Sequence, residues 1–310
     1  MSRPAYWCLL DEQPHYLVPR HAIEAQRLDD LVLHPDCRFS WQGGAALACP
    51  DEADAFLPAA CVAWAPDPAT GIRWPYWVGY ELIEPLAALS AGRTRASALC
   101  PEHRWILAQA GVLVGADAPR RGRAEDARHR AWLRAQFEAG FVPMRALVPS
   151  FHLGALRRYY RQRVRQGALR LGDGQVDRRY VAHNEPVARF LQRQLERSVA
   201  AVVGRALKPS YAYLAAYQGG AMLERHTDRP QCEYTLSLCV DFTPELDGAC
   251  PWSINLDLDR RTLRVHQREG DGLLFRGRRI PHHRDRLPSR ASATNVLLHY
   301  VDADFAGTLE

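Results

Sequence analysis

The strongest constraint on the fold comes from a series of short apolar segments that fills the sequence after Ser210. Each segment is six to ten residues long, is rich in apolar, β-branched or aromatic residues, and is separated from the next by turn-forming residues. The segments are YAYLAAY (211–217), EYTLSLCVDF (233–242), WSINLDL (252–258), TLRVHQ (262–267), DGLLFRG (271–277) and TNVLLHYV (294–301). Six strands within about 90 residues predict a closed or sandwiched β architecture.

Helical spacing of apolar residues precedes these strands. The segment LGALRRYYRQRVRQ (153–166) carries its apolar residues on one face, which predicts an amphipathic helix. Asn184 is placed to cap a second helix, with Pro186 in its first turn, and apolar residues at helical spacing continue to about Val203. This order of elements predicts an α+β domain in which the helices cover one face of the β architecture.

A change of composition at Ala116–Arg130 (ADAPRRGRAEDARHR) predicts a domain boundary, because the stretch is charged and nearly free of large apolar residues. A chain of 310 residues is also longer than the usual single domain. We therefore expect an N-terminal α+β domain over residues 1–118, a linker or exposed helix over 119–135, and a second domain over 136–310.

Two helices and a strand are predicted near the end of the first domain. Apolar spacing predicts a helix at Gly79–Ala91, which Pro85 is expected to end or kink, and a second helix at Glu102–Ala110. The strand-like residues VLV follow at 112–114. This succession resembles winged-helix modules and, more loosely, the small peptide-recognition domains of peptide-modifying enzymes, which favours a role in recognising a substrate or peptide.

The overall charge argues against a nucleic-acid binder. The 40 Lys and Arg residues exceed the 35 Asp and Glu residues by only five, and the excess is not clustered. The eight cysteines form no CxxC pair, which predicts free thiols in a reducing compartment. The N-terminal residues lack the apolar run of a signal peptide, and no stretch is long enough to span a bilayer. We therefore expect a cytoplasmic protein with no membrane partner.

A candidate metal site begins with His226-Thr227-Asp228. On an extended segment, residues i and i+2 point the same way, so an imidazole and a carboxylate could reach one ion from one short stretch. A third ligand must then come from elsewhere in the fold. Two histidines and one carboxylate on one face of an octahedral ion form the facial triad of non-haem Fe(II) oxygenases, in which three positions stay open.

The segment GDGLLFRGRRIPHHR (270–284) supplies the third ligand, 56 residues after His226. It predicts a strand, a turn and then two adjacent histidines, His282 and His283. Neighbours on an extended strand face opposite ways, so only one of the two can be the ligand. The residues alone leave the choice between His282 and His283 open.

Residues 137–303 resemble the Fe(II)/2-oxoglutarate-dependent dioxygenases of the prolyl-hydroxylase-like branch. The segments that carry the resemblance are FEAGFVPMRALVP, YAYLAAYQGGAMLERHTD, GDGLLFRGRRIPHHRDRLP and TNVLLHYV. The resemblance implies a double-stranded β-helix (jelly-roll) fold and a catalytic triad of His226, Asp228 and His282. It also implies Fe(II), 2-oxoglutarate and O2 as cofactors, with ascorbate assisting. In this family 2-oxoglutarate is oxidised to succinate and CO2 while hydrogen is removed from a substrate.

The family places a cation nine to eleven residues after the distal histidine to bind the C5 carboxylate of 2-oxoglutarate, and here residues 291–293 are Ala, Ser and Ala. A guanidinium suits a carboxylate because it can bind both oxygens. Arg290 is the first candidate, with Ser292 adding a hydroxyl in an Arg-x-Ser pairing. Arg284 and Arg286, in the loop after the ligand, are the rivals.

Further contacts are expected on the strand that leads to the metal site. Tyr217 lies nine residues before His226, where the family often has a tyrosine that hydrogen-bonds the cosubstrate. Tyr211 and Tyr213 share the strand face of Tyr217 and could line the pocket or equally pack in the core. Candidate substrate contacts are Arg178, Arg179 and Asn184.

Three functional hypotheses follow. The first is an oxygenase that hydroxylates a C–H bond of a peptide, protein or amino-acid-like substrate, which the additional N-terminal domain favours. The second is the same cofactor chemistry used for desaturation or cyclisation in natural-product biosynthesis. The third is a non-catalytic regulatory or binding protein, which the intact HxD…H set argues against.

Overall fold

A computed structural model describes residues 28, 30–41, 61–67, 70–245 and 247–309, with the side chains of residues 41 and 119–126 left aside. The chain divides into two compact units, Met1–Ala127 and Arg128–Glu310. The division falls inside a 20-residue helix, Ala118–Phe137. The parts of the predicted N-terminal domain at residues 1–27 and 42–60 lie outside the described residues.

The first unit contains two small antiparallel sheets and two α-helices in its described part. One sheet pairs two strands, and the other is built from three consecutive strands. The elements are β1 (Leu31–Leu33), β2 (Arg38–Trp41), β3 (Cys61–Pro66), β4 (Arg73–Trp77), α1 (Tyr80–Ser90), a 3-10 turn (Ala96–Ala98), α2 (Pro101–Gln109) and β5 (Leu113–Gly115), followed by α3 (Ala118–Phe137). The two predicted helices and the strand after them are confirmed, while the winged-helix likeness stays a prediction.

Helix α1 runs through Pro85, so the helix does not end there, and the alternative of a kink stays a prediction. A proline lacks the N–H that would bond the carbonyl four residues back, so one backbone bond is lost at Glu81. Leu82 and Leu86, on either side of the proline, are buried. Burial of this apolar stripe offsets the missing hydrogen bond.

The second unit is dominated by two antiparallel sheets. Its strands are β6 (Phe141–Met144), β7 (Arg170–Leu171), β8 (Arg179–His183), β9 (Leu207–Gln218), β10 (Leu223–His226), β11 (Tyr234–Thr243), β12 (Ile254–Leu258), β13 (Arg261–Val265), β14 (Gly272–Phe275), β15 (His282–Arg284) and β16 (Ser292–Asp302). The larger sheet has the order β6-β14-β11-β16-β9-β8-β7, and the smaller has the order β10-β15-β12-β13. All six strands predicted from apolar segments are confirmed.

The two sheets share a core. Ile254 and Leu256 of the smaller sheet form one buried cluster with Leu273 and Phe275 of the larger sheet. Burying these side chains removes their apolar surface from water, which stabilises the fold by about 25 cal/mol per Å² of buried surface. The space between the sheets is therefore the interior of the unit, and polar side chains found there need partners.

Two helices precede the main strands, as predicted. Helix α4 (Ser150–Arg165) and helix α5 (Pro186–Val203) each bury one face. Glu185, and not Asn184, caps α5, because its carboxylate accepts the N–H of Ala188. Asn184 instead has a φ of 51° and accepts the N–H of Ala212 in β9 through its side-chain oxygen.

Two further expectations can be compared with the structure. The six cysteines within the described ranges carry no disulfide, while Cys8 and Cys49 lie outside those ranges. No helix among the described residues combines the length and apolar character needed to cross a membrane.

Candidate metal centre and its cavity

A cavity of about 610 Å³ lies in the second unit. Its walls come from both sheets and from the loop between β7 and β8, and they include His226, Asp228, His282, Arg284 and Tyr217. Alternate residues of β16 face it, namely Asn295, Leu297 and His299. The cavity is therefore the place where side chains from distant parts of the sequence meet.

The structure brings His226, Asp228 and His282 together. One ligand atom from each residue lies within 4.8 Å of the others. Oδ1 of Asp228 is 3.7 Å from Nε2 of His226 and 3.6 Å from Nε2 of His282. Strands β10 and β15 are antiparallel neighbours in which His226 pairs with His282, so backbone register sets this approach. The arrangement offers two nitrogen donors and one oxygen donor to a single ion.

Backbone hydrogen bonds fix the tautomer of both histidines. Nδ1 of His226 is 2.9 Å from the carbonyl oxygen of Glu224, and Nδ1 of His282 is 3.0 Å from that of Ile280. A carbonyl can only accept, so Nδ1 carries a proton in each ring, and Nε2 is the nitrogen that keeps a lone pair when the ring is neutral. Burial also lowers the pKa of His282, against the opposing effect of Asp228. Neutral imidazoles with free Nε2 atoms are the form that binds a metal.

His283 points away from this centre. Its Nδ1 lies 3.7 Å from Oδ2 of Asp257, and it does not contribute to the cavity wall. In β15, His282 is buried and His283 is only half-buried. The pleat of the strand separates the two rings, and it places His282 on the side of Asp228.

Arg284, the last residue of β15, reaches the cavity two residues after the distal histidine. Its side chain is fully enclosed, and burial lowers its pKa. It donates to the carbonyl oxygen of Trp252 at 3.2 Å and to Oδ1 of Asn295 at 3.3 Å, and its guanidinium lies 4.6 Å from the centre of the Trp252 ring. Within the part of the chain that the structure describes, no carboxylate pairs with Arg284.

Arg290 and Ser292, by contrast, are not brought to the cavity. Arg290 is exposed in the turn before β16, and Ser292 opens β16 between Thr243 and Gln218 of the neighbouring strands. Arg286 is exposed and donates to the carbonyl oxygen of Gly220. The structure therefore places Arg284, and not Arg290, in the cavity wall, and the residue that binds the cosubstrate stays a prediction. The reason is that residue i+2 on β15 shares the cavity face with His282, whereas Arg290 lies in a surface turn.

Tyr217 lines the cavity beside a second buried arginine. Arg179 donates to the phenol oxygen of Tyr217 at 3.0 Å and pairs with Asp173 at 2.6 Å. Tyr213 also donates to Asp173, at 2.6 Å. Because Tyr217 accepts from Arg179, its own hydroxyl proton is available to a ligand in the cavity. Gln175 completes the group by accepting from Arg179 at 3.0 Å.

The remaining predicted contacts divide between the cavity and other places. Tyr211, Tyr213 and Arg179 line the cavity, whereas Arg178 is exposed and donates to the carbonyl oxygen of Gly219. Asn184 holds the backbone at Ala212 and is not part of the cavity wall.

Two residues behind Asp228 were missed from the sequence. Thr235 donates to Oδ2 of Asp228 at 2.6 Å, and Thr235 is 3.0 Å from Nδ1 of His299. Both lie inside apolar strand segments, where their polarity is the available signal. Asn295, Leu297 and His299 lie on one face of β16, because every second residue of a strand points the same way. Two polar residues on one face of a buried strand indicate that this face lines a polar interior.

Comparisons with known proteins give a likeness of structure only. No protein-family model matches the chain, and no curated protein matches it. A prolyl-4-hydroxylase of Pseudomonas putida is 17% identical over 55% of this chain and 98% of its own, with a TM-score of 0.45. A prolyl hydroxylase of Trichoplax adhaerens, solved with a hypoxia inducible factor peptide fragment, is 13% identical over 57% of this chain and 91% of its own, with a TM-score of 0.48.

HygX of Streptomyces hygroscopicus, solved with nickel and 2-oxoglutarate, is 14% identical over 57% of this chain and 88% of its own, with a TM-score of 0.45. The solved structures named here, and a Burkholderia pseudomallei oxidoreductase of the 2OG-Fe(II) oxygenase family, are thus similar to this chain in fold. A shared fold does not identify a substrate.

Proposed function

We propose that this chain is an Fe(II)- and 2-oxoglutarate-dependent oxygenase whose metal ligands are His226, Asp228 and His282. The observation that carries the proposal is the meeting of two imidazole Nε2 atoms at one carboxylate oxygen of Asp228. This set matches the two-histidine, one-carboxylate facial triad, which leaves open positions on the ion.

The donor chemistry fits Fe(II). Both histidines offer a lone pair that a backbone carbonyl has already oriented, and Asp228 offers one oxygen. No cysteine belongs to the group, which distinguishes it from the cysteine-containing sets common in structural zinc sites. The three donors lie together on the cavity wall, so the opposite side of a bound ion would face the cavity.

The cavity also fits 2-oxoglutarate. Arg284 would bind its C5 carboxylate, because this buried guanidinium has hydrogen-bond partners but no acidic one among the described residues. A carboxylate arriving there would neutralise a buried charge, and a guanidinium can hold both oxygens. Tyr217 would donate its free hydroxyl proton to the same ligand. Ser292 and Arg290 have no part in this proposal.

Fe(II), when bound with 2-oxoglutarate and O2, would supply the chemistry that oxidises a C–H bond of a substrate. The chain's own residues position these partners. His226, Asp228 and His282 hold the ion, Arg284 and Tyr217 orient the dicarboxylate, and Trp252 shields Arg284 from water by lying against its guanidinium. We further propose that the two sheets with their shared core form a double-stranded β-helix.

We infer that the substrate is a peptide, a protein or an amino-acid-like molecule and that the product is hydroxylated. Support for a peptide-sized substrate comes from the unit Met1–Ala127, which is a separate compact unit that could serve in recognition. The mass of the product decides the reaction: hydroxylation adds one oxygen, whereas desaturation or ring closure removes two hydrogens. A cytoplasmic location remains part of the same proposal.

The test uses the purified full chain under anaerobic conditions and then in air. Wild type should bind about one equivalent of Co(II) or Ni(II), as one three-ligand site implies. Loaded with Fe(II) and supplied with 2-oxoglutarate, O2 and ascorbate, it should form succinate. His226→Ala should lose both metal binding and succinate formation, because only two ligands remain.

His283→Ala is the matched control, since this histidine neighbours His282 but faces Asp257. It should keep both metal binding and succinate formation. Wild-type protein that binds no divalent ion, or a His226→Ala protein that forms succinate as fast as wild type, would refute the assignment. Failure to bind any divalent ion would favour the non-catalytic hypothesis.

A further inference from the structure

A second layer of contacts stands behind the carboxylate of Asp228. One oxygen, Oδ1, faces the two histidines, while the other, Oδ2, accepts the hydroxyl of Thr235 at 2.6 Å. Thr235 lies in β11, is 2% exposed and lines the cavity. The two oxygens of one carboxylate therefore have different surroundings before any ion arrives.

The direction of the hydrogen bonds follows from counting protons. A threonine hydroxyl has one proton, and a carboxylate can only accept, so the proton of Thr235 goes to Asp228. Nδ1 of His299, 3.0 Å from the same hydroxyl oxygen, must then be the donor. Burial lowers the pKa of His299 to about 4, so the ring is neutral near pH 7 and its single proton lies on Nδ1.

Gly277 closes the arrangement from the other side. Its carbonyl oxygen accepts the N–H of Asp228 at 3.0 Å. A Cβ at this position would overlap Oδ2 of Asp228 and would lie 2.7 Å from Oγ1 of Thr235. Glycine is therefore required here by the close approach of the carboxylate and the hydroxyl.

We propose that Thr235 and His299 are positioning residues that hold Asp228 as a one-oxygen ligand. The proposal rests on the metal site proposed above and goes beyond it. A carboxylate can bind an ion through one oxygen or through both. Because Oδ1 faces both histidines and Thr235 holds Oδ2 on the opposite side, Oδ1 alone is directed at the ion, so three positions of an octahedral ion stay open. A bidentate aspartate would close one of the positions that a bidentate cosubstrate and O2 need.

The hydroxyl and imidazole also strengthen the ligand itself. Partners behind a metal ligand fix its orientation, and removing one typically lowers metal affinity by about 10-fold to 100-fold. The bond from Thr235 restrains the carboxylate in the position that faces both Nε2 atoms. His299 restrains the hydroxyl in turn, because its Nδ1 proton is donated to the hydroxyl oxygen and leaves the hydroxyl proton directed at Asp228.

The experiment compares Thr235→Val with Thr235→Ser in the full chain. Valine keeps the volume of threonine but has no hydroxyl, whereas serine keeps the hydroxyl. We expect Co(II) affinity to fall by about 10-fold to 100-fold in Thr235→Val and to stay within about threefold of wild type in Thr235→Ser. The visible spectrum of bound Co(II) should change in Thr235→Val, because the carboxylate is free to bind through two oxygens.

Thr294→Val is the matched control for removing a buried threonine hydroxyl. Thr294 is 8% exposed and lies on β16, but it alternates with the residues that face the cavity. Its Co(II) affinity and spectrum should equal those of wild type. A purely structural role for Thr235 would lower the melting temperature without changing the Co(II) spectrum of the folded protein.

His299 provides a second test that does not depend on the folding of Thr235→Val. His299→Asn places an amide N–H near the position of Nδ1 and should keep Co(II) affinity within about threefold, whereas His299→Leu should lower it by about 10-fold. Equal affinity and identical spectra in Thr235→Val, His299→Leu and wild type would overturn the proposal. If wild type itself bound no Co(II), the proposed metal site would fail instead, so the two failures are distinguishable.

Discussion

Two buried arginines, Arg179 and Arg284, face the same cavity but differ in their partners. Arg179 pairs with Asp173 at 2.6 Å, and Asp173 also accepts the hydroxyl of Tyr213. Arg284 has only neutral partners among the described residues, namely Trp252 and the side chain of Asn295. The charge of Arg179 is thus neutralised within the protein, whereas the charge of Arg284 is not.

This difference assigns different roles to two residues of the same type. A buried charge without a counter-ion is costly, and a ligand of opposite charge would offset that cost. Arg284 therefore has the properties of a cation that binds an anionic ligand. Arg179 fits a structural residue that ties the loop of Asp173 to Tyr217 on the cavity wall.

The largest effect should come from breaking the internal pair. Arg179→Met leaves the carboxylate of Asp173, which is 10% exposed, without its cation. Removing one partner of a buried pair typically costs about 3–5 kcal/mol of unfolding free energy. Urea unfolding of the metal-free protein would measure this loss. The double variant Arg179→Met/Asp173→Asn should recover part of it, because the uncompensated charge is gone. Equal stability of Arg179→Met and wild type would show that the pair contributes nothing.

Arg284→Met should give the opposite pattern. Without 2-oxoglutarate, unfolding free energy should stay near or rise above that of wild type, since a buried charge without a counter-ion is replaced by an apolar side chain. Affinity for 2-oxoglutarate should fall by about 100-fold or more, which corresponds to about 2.7 kcal/mol. Calorimetric titration of the Ni(II)-loaded protein measures the affinity. Unchanged affinity in this variant would remove Arg284 from the cosubstrate site.

The sequence was sufficient to predict the strands that carry an unbroken apolar pattern. All six apolar segments became strands of the second unit. The short strands β7 and β8 were not predicted. The ligand segments were treated as extended, but no strand bounds were predicted for β10 and β15, because LERH at 223–226 and HHR at 282–284 have no apolar pattern. These segments are strands because their neighbours pair with them, and the pairing of His226 with His282 is a tertiary event.

The candidate site shows the same limit. The HxD spacing is local, so the sequence alone singles out His226 and Asp228. The choice of cation needed the direction of β15, since Arg284 and His282 share a strand face only once that strand exists. The contacts of Thr235 with Asp228 and His299 join residues that are seven and 64 positions apart, and no local pattern encodes them.

Lowering the pH should weaken the ion pair between Arg179 and Asp173 within a defined pH range. Burial alone would raise the pKa of Asp173, but hydrogen bonds from Tyr213 and the N–H of Val176, together with the charge of Arg179, lower it to about 2 from 3.8. A carboxyl whose pKa is depressed in the folded state stabilises the protein above its unfolded pKa. This stability is lost as the pH falls from about 4 to about 2.

Asp173→Asn lacks this titration and provides the comparison. The difference in urea midpoint between wild type and Asp173→Asn should be constant above about pH 4 and should shrink below it. A difference that does not change between about pH 5 and about pH 3 would mean that Asp173 is not stabilised as a carboxylate. Arg284 has no acidic partner to titrate among the described residues, so its contribution to stability should not change over the same range.

The smallest effect should come from Arg290→Ala. Arg290 is exposed in the turn before β16 and has no place in the cavity wall, although its sequence position is closer to that of the family's usual cation. Affinity for 2-oxoglutarate should therefore remain within about twofold of wild type, because an exposed charge contributes little in water. This variant is measured beside Arg284→Met under the same Ni(II) loading. The comparison shows whether burial or sequence spacing determines which arginine binds 2-oxoglutarate. A large loss of affinity in Arg290→Ala with none in Arg284→Met would reverse the assignment, and the turn would then have to bring Arg290 into the cavity when the ligand binds.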